Sequence, residues 1–184
     1  RQHGAGRLQR ALRGADRVAA FARLASEAES AVAGEPQAAE LHIWHGIVLS
    51  TWAGAKGGLG ALGLVKQAKA ELETAIELEP QALDGSAYTS LASLYYQVPG
   101  WPIGFGDEDK AEALFKQALA LNPNGIDPNY FHGDFLLRQK RYDEARTALE
   151  KALAAPARPG RETADAGRRD EAQALLAKVK EKLE

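Results

Sequence analysis

The sequence predicts an all-α fold, a solenoid of about eight helices arranged as helical hairpins. Three observations predict it: one helical pattern occurs three times, proline follows each copy, and no segment reads as a strand. In each copy two small residues and one large apolar residue lie on one helical face, so a neighbouring helix can approach closely. The copies are Ala68-x3-Leu72-x2-Ala75-x4-Pro80, Ala111-x3-Phe115-x2-Ala118-x4-Pro123 and Ala145-x3-Leu149-x2-Ala152-x3-Pro156.

Start and stop signals place the individual helices. Asp107 is a good N-cap for the fifth helix, and Asp127 followed by Pro128 marks the start of the sixth. The segment 54–63 is so rich in glycine that we expect a loop there, and Val98 to Asp107 forms a second long loop. The helices are expected at 16–34, 38–52, 64–78, 84–97, 107–121, 128–139, 142–155 and from about 162 to 183.

We expect one domain covering residues 1–184. Its parts are a basic, frayed head (1–15), an N-terminal capping helix (16–36), three helical-hairpin units (37–156), and a linker with a C-terminal capping helix (157–184).

Composition limits the function classes. The net charge of −2 gives no reason to expect nucleic acid as a partner, and no apolar run is long enough to span a bilayer. Cysteine is absent, which excludes disulfides and thiolate chemistry. Because methionine is also absent, even at the first position, a removed export leader or a trimmed chain would each explain the start.

The first helices of the hairpins identify a family. Tyr88-x2-Leu91-Ala92-x2-Tyr95 is similar to the first-helix pattern of the tetratricopeptide repeat, and Gly46 and Gly133 take the small-residue position in the other two units. The chain therefore resembles the tetratricopeptide superfamily over residues 37–156, which implies a right-handed α-solenoid. Successive prolines from Pro36 are 44, 43 and 33 residues apart, against 34 in the family. The surplus predicts enlarged loops inside the first two units.

A further resemblance concerns the second loop. Residues 98–115, followed by Ala118 to Pro123, look like exported bacterial tetratricopeptide proteins, including the T-component family associated with periplasmic TRAP solute transporters. The resemblance implies a periplasmic location, with a cytoplasmic one as the alternative. It also implies an alternative function, a transport accessory that holds a small solute near the 98–107 loop.

In the superfamily, ligands usually bind the concave groove lined by the first helix of each pair. The leading hypothesis is therefore a non-enzymatic scaffold that binds a protein or peptide there, with a transporter component as one candidate partner. Chaperone-binding clamps carry Lys and Asn where this chain has Ile43 and Ile47, which argues against a chaperone tail. The predicted groove residues are Glu40, Ile43, Ile47, Ser50, Thr51, Ser86, Thr89, Ser93, Tyr96, Gln97, Tyr130, Asp134, Leu137 and Arg138.

Aromatic residues mark the two long loops. Trp101 and Phe105 are costly to expose, so we expect both rings to plug the second loop onto the helices or to line a pocket. The predicted loop-pocket residues are Trp52, Lys56, Trp101 and Phe105.

No catalytic, cofactor or metal site is predicted. His42 and His45 lie one helical turn apart but lack a third ligand, and packing imidazoles are the favoured interpretation. His132 and Asp134 are two residues apart on a helix and do not face each other. The 54–63 segment lacks the Gly-Lys-Ser/Thr ending of a phosphate-binding loop. The sequence does not indicate the oligomeric state.

Overall fold

A computed structural model of the chain describes the backbone of residues 2–184 and the side chains of residues 14–184. Within this part the chain forms eight α-helices and no named strand, so the predicted all-α fold is confirmed. The helices are α1 (Gln2–Gly34), α2 (Ala39–Lys56), α3 (Leu62–Leu78), α4 (Ala82–Gln97), α5 (Glu108–Leu121), α6 (Ile126–Arg138), α7 (Tyr142–Leu153) and α8 (Glu162–Leu183). The predicted frayed head falls mainly on residues 1–13, whose side chains lie outside the described part.

Two compact units divide the chain, Arg1–Ala82 and Leu83–Glu184, and each is described here by itself. The predicted assignment of residues 1–184 to one domain stays a prediction. In the first unit α2 packs against α1 and α3, and in the second α6 and α7 form a hairpin against which α8 packs. The boundary between the units falls at a left-handed turn, in which Leu83, Asp84 and Gly85 all have positive φ.

The recurring helical pattern forms the core of both units. The two alanines and the large residue of each copy are all fully buried. The small first-helix residues lie where the helices approach most closely: a Cβ on Gly46 would come within 2.7 Å of Leu72, and one on Gly133 within 2.7 Å of Leu149. The paired helices therefore interlock through a glycine on one and a leucine on the other.

The glycine-rich segment 54–63 is not the long loop that we predict from its composition. Helix α2 continues to Lys56, and a 3₁₀ turn at Leu59–Ala61 leads directly into α3. Only Gly57 and Gly58 break the helices, with φ of +64° and +63°. A glycine in a helix interior costs only about 1 kcal/mol, which the burial of Ala53 beside it can offset. The extra residues of the first hairpin thus lengthen its helices.

The second predicted loop is present between α4 and α5. Asp107 caps α5 as predicted, since its carboxylate accepts a hydrogen bond from the Lys110 amide at 3.0 Å. The prediction for Asp127 is wrong. Helix α6 begins at Ile126, two residues before the predicted first helical residue Pro128, and its N-cap is Gly125. The Asp127 carboxylate instead accepts hydrogen bonds from Arg158 and Arg168.

Candidate functional site

Four predicted groove residues of the second unit form one connected polar cluster. The Tyr96 hydroxyl donates to Asp134 Oδ2 at 2.8 Å, and Arg138 Nε donates to the same oxygen at 3.2 Å. Gln97 Nε2 donates to the Tyr96 hydroxyl at 3.1 Å. We call Tyr96, Gln97, Asp134 and Arg138 the tyrosine–arginine cluster.

Local structure explains why these side chains meet. Asp134 and Arg138 are four residues apart on α6, so they share one face, and Tyr96 is in the last turn of α4. The Tyr96 ring packs against Phe115 and Phe135, at centroid distances of 6.0 and 5.7 Å. The Arg138 guanidinium lies over the ring, 5.0 Å from its centroid.

The surroundings of Tyr96 keep its phenol neutral near neutral pH. Burial raises the pKa of Tyr96, and the negative charge of Asp134 raises it further, so the phenol remains a neutral donor. Arg138 is half exposed and Gln97 is exposed. The cluster therefore exposes the Arg138 cation and the Gln97 amide to solvent. Both groups contact the Tyr96 side chain, which holds them in place.

His132 and Asp134 do not form a pair of a general base and the carboxylate that orients it. Its ring lies against Phe115, 5.3 Å between centroids, while Asp134 binds Tyr96 and Arg138. Burial, followed by the charge of Arg141, lowers the pKa of His132 to about 4. This imidazole is a neutral packing residue.

The other predicted residues of α6 lie beside α8. The Arg168 guanidinium of α8 stacks 4.6 Å from the Tyr130 centroid, and burial raises the pKa of Tyr130. Leu137 is half-buried. The chain's own last helix thus covers part of the predicted surface at Tyr130.

Burial removes two residues from the predicted groove. Ile43 is 0% exposed and Thr89 is 5% exposed, so neither can contact a partner without rearrangement of its unit. Both side chains therefore belong to the buried interior of their units and not to a groove surface.

The predicted hydroxyls mostly bond to their own helices. Ser50 donates to the Gly46 carbonyl, Thr51 to Ile47, Ser93 to Thr89 and Ser86 to Leu83, at 2.8 to 3.0 Å. Glu40 is exposed and Ile47 is half-buried. These hydroxyl donors already have hydrogen-bond partners in their own helices. In the tyrosine–arginine cluster, by contrast, predicted groove side chains from two different helices bond to each other.

The 98–107 loop is closed by its own backbone. The Gly106 amide donates to the Pro99 carbonyl and the Asp107 amide to Tyr95, both at 2.9 Å. A Cβ on Gly106 would come within 2.0 Å of the Val98 carbonyl oxygen, so only glycine allows this closure.

The predicted plug and pocket at this loop are wrong for Trp101. Phe105 does pack onto the helices, edge-on to Tyr95 at 5.5 Å, but Trp101 is 90% exposed and lines no enclosed space. Ile103 beside it is 57% exposed. The loop therefore projects an apolar tip into solvent.

The remaining predicted loop residues belong to α2. Trp52 is half-buried in that helix, and Lys56 is its exposed last residue. Trp52 lies in the first unit and Trp101 in the second.

His42 and His45 converge on one carboxylate. His42 Nδ1 lies 2.6 Å from Glu71 Oε2 and its Nε2 lies 2.9 Å from the Pro36 carbonyl oxygen, so both nitrogens are occupied. His45 Nδ1 is 3.1 Å from Glu71 Oε1, at an angle unsuited to a hydrogen bond. Within residues 14–184 no group of three or more potential ligands is placed to hold a metal ion. The arrangement ties α2 to α3.

Sequence reasoning missed two features of the structure. Arg158 and Arg168 bind the two oxygens of Asp127, at 2.8 and 2.9 Å, and attach the linker and α8 to α6. In the first unit, α1, α2 and α3 border an open cleft of about 160 Å³ lined by Ser26, Glu29, His45, Trp52 and Gln67, among others. Neither had a local signal, because each combines residues that are far apart along the chain.

Among the helices of the described residues, none is both long enough and apolar enough to cross a bilayer.

Comparisons with known proteins agree with this architecture. Residues 103–159 match the family model of the tetratricopeptide repeat. A crystal structure of MamA is similar in fold, with a TM-score of 0.51 and 22% sequence identity over 88% of each chain. No curated protein sequence matches significantly.

Proposed function

We propose that the chain, whose residues 103–159 match the family model of the tetratricopeptide repeat, is a non-enzymatic scaffold that binds a partner protein or peptide through the tyrosine–arginine cluster. One observation carries the proposal: predicted groove residues from two successive first helices, α4 and α6, converge into one cluster. Its packing fixes the side chains before binding, which reduces the entropy lost on association.

The chemistry of the cluster indicates the kind of partner. Arg138 offers a cation over an aromatic ring, and Gln97 offers an amide, so the cluster suits a segment with a carboxylate or carbonyl next to an apolar side chain. Arginine and tyrosine are the residue types most often found among interface hot spots.

Site-specific photocrosslinking tests the proposal. A photoreactive amino acid replaces Gln97, in cells that express the native gene, and Gln117 on α5 is the matched control because it is also an exposed glutamine. We expect a defined crosslinked product from position 97 and none from position 117. Equal products, or none at position 97, would contradict the assignment.

A second pair of variants measures the contribution of the cation. Arg138→Ala should weaken binding of the crosslinked partner by about 5- to 30-fold, the effect of losing a hot-spot side chain worth 1–2 kcal/mol. Lys116→Ala, an exposed cation on α5, should leave binding unchanged.

We also propose a periplasmic location and a transporter component as the partner. The resemblance of residues 98–123 to exported proteins supports the location. The exposure of Trp101 and Ile103 on a closed loop supports a macromolecular partner over an enclosed small solute, because a ring that is 90% exposed cannot surround a small molecule. Protease accessibility of the full gene product in spheroplasts tests the location. Protection until the inner membrane is lysed would rule it out.

A further inference from the structure

The loop between α4 and α5 carries an apolar tip that is exposed although its backbone is fixed. We call Trp101, Pro102 and Ile103 the Trp101 tip; Trp101 is 90% exposed and Ile103 is 57% exposed. The Ile103 and Gly104 amides both donate to the Gly100 carbonyl at 3.1 Å, in addition to the closing hydrogen bonds described above. A preorganised apolar tip of this kind is suited to docking, because little entropy is lost when it binds.

An open cleft in the same unit has the size and the lining to receive such a side chain. We call it the α5–α7 cleft; it is bordered by α5, α6 and α7 and has a volume of about 300 Å³. An apolar cavity of about 150 Å³ binds benzene, so this cleft has room for the larger ring system of an indole. Its apolar lining consists of Leu119, Pro123, Leu136 and Ala148.

Two polar groups of the cleft lining are available to a partner. The side chains of Asn129, Glu144 and Thr147 are already hydrogen-bonded within the protein. Among the described residues, none forms a hydrogen bond with the His132 ring or an ion pair with Lys151. Burial lowers the pKa of His132 to about 4, so its ring is neutral and has one acceptor nitrogen. The cleft therefore offers an acceptor and a cation.

The Trp101 tip and its surroundings carry the complementary groups. The indole N–H of Trp101 can only donate, and the neutral His132 ring can accept this hydrogen bond. Glu108 and Asp109, in the first turn of α5 beside the loop, are exposed and form no ion pair within residues 14–184. Their charge is opposite to that of Lys151 at the cleft, which favours contact between the two surfaces.

The tip and the cleft of one copy lie at opposite ends of α5. The loop precedes Glu108 at the start of the helix, whereas Leu119 in the cleft is about 16 Å further along it. We propose that the Trp101 tip of one copy docks into the α5–α7 cleft of a second copy. Because the tip and the cleft are different surfaces, the contact is head-to-tail and leaves a free tip at one end of a growing chain of copies and a free cleft at the other.

This inference goes beyond the proposed function and does not rest on it. The cleft lies on the face of α6 that contains Asn129, His132 and Leu136, whereas Asp134 and Arg138 of the tyrosine–arginine cluster lie on the opposite face. Arg138→Ala should therefore self-associate like the unaltered protein, whatever its effect on the partner of the cluster.

Small-angle X-ray scattering over a concentration series of the full chain measures the association. A single loop tip buries a small interface, so we expect a Kd of about 0.1–1 mM and an average mass that rises up to about 1 mM protein without levelling off at a dimer. Trp101→Ser should abolish the rise. Leu59→Ser, the matched control, removes another apolar side chain that is 79% exposed and should retain it. An unaltered protein that stays monomeric, or equal behaviour of the two variants, would overturn the proposal.

Variants of the cleft complete the test. Thr147→Phe fills the cleft from an exposed position of α7 and should abolish the association, whereas Thr163→Phe, at an exposed threonine of α8 outside the cleft, should not. Circular dichroism checks that each variant keeps its helical content. Trp101→Ser retains its cleft and Thr147→Phe retains its tip, so an equimolar mixture should form dimers and nothing larger. A mixture that stays monomeric would refute docking of the tip into the cleft.

A lipid surface is the other candidate occupant of an exposed tryptophan. We expect no co-sedimentation of the protein with phosphatidylcholine vesicles. Vesicle binding that Trp101→Ser abolishes, together with an average mass that does not change with concentration, would assign the tip to a membrane and overturn the proposal.

Discussion

Replacing Gly133 by alanine tests whether close approach between paired helices determines the stability of the second unit. Gly133 lies on α6, and a Cβ at this position would come within 2.7 Å of Leu149 Cγ and 2.8 Å of its Cδ2. Leu149 on α7 is 0% exposed. The added methyl group must therefore displace the Leu149 side chain or push α6 and α7 apart.

Two opposing effects set the magnitude. Alanine gains about 1 kcal/mol over glycine in a helix interior. Overpacking a filled core costs about 1–3 kcal/mol. We expect Gly133→Ala to destabilise the protein by about 0–2 kcal/mol, whereas Gly167→Ala should stabilise it by about 1 kcal/mol. Gly167 is the matched control because it lies inside α8 and a Cβ there would meet nothing within 4 Å.

Urea unfolding followed by circular dichroism measures both variants. The comparison requires the slope of the free energy against urea to stay unchanged, so that a shift in midpoint reports stability. The double variant Gly133→Ala/Leu149→Ala should lose less than the sum of the single losses, because the clash is absent once Leu149 is shortened. If Gly133→Ala stabilises as much as Gly167→Ala, the close-packing argument is refuted.

Three other predictions concern single groups of the second unit. The pKa of His132 is lowered to about 4, so between pH 6.5 and pH 4 the unfolded chain takes up a proton that the native state does not, and stability should fall over this range. His132→Gln should make the urea midpoint depend less on pH between 6.5 and 4. The pKa of Asp165 is lowered, first by its hydrogen bonds from Arg158, so its contribution to stability is present at neutral pH and is lost as pH falls through the lowered pKa. Asp165→Asn should therefore lower the free energy of unfolding by about 1–3 kcal/mol at pH 7, and the stabilities of the two proteins should become equal in acid. Lys140 has φ of 59°, and Lys140→Gly should gain about 0.5–1 kcal/mol in thermal or urea unfolding, since glycine adopts this backbone without strain; an unchanged or lower stability would contradict that explanation.

The helical hairpins could be predicted because their signals are local. A small-x3-large-x2-small pattern places its residues on one helical face whatever surrounds them, and the alanines and large residues it marks are all buried. Asp107 caps α5 for the same reason, since the bond to Lys110 spans three residues. Where local preference was weak, prediction failed: the glycines of 54–63 disfavour a helix only slightly, and packing extended α2 to Lys56.

The residues of the candidate functional site were also predicted, but their contacts were not. The sequence indicated Tyr96, Gln97, Asp134 and Arg138 separately as groove residues, but not that one hydrogen-bonded cluster joins them. Trp101 was expected to be covered, because composition cannot show that a loop closes on its own backbone and leaves its tip in solvent.

By itself, the sequence determined the class of fold, the number of helices and the small residues at which paired helices approach each other closely, because helix periodicity and small-residue spacing act within a few turns of one chain segment. Only the tertiary structure decided which polar atoms meet: Tyr96 with Asp134 across 38 positions, and Asp127 with Arg158 and Arg168. These contacts depend on how the helices pack side by side. The residue pattern along one helix does not show which polar groups its neighbour will bring close.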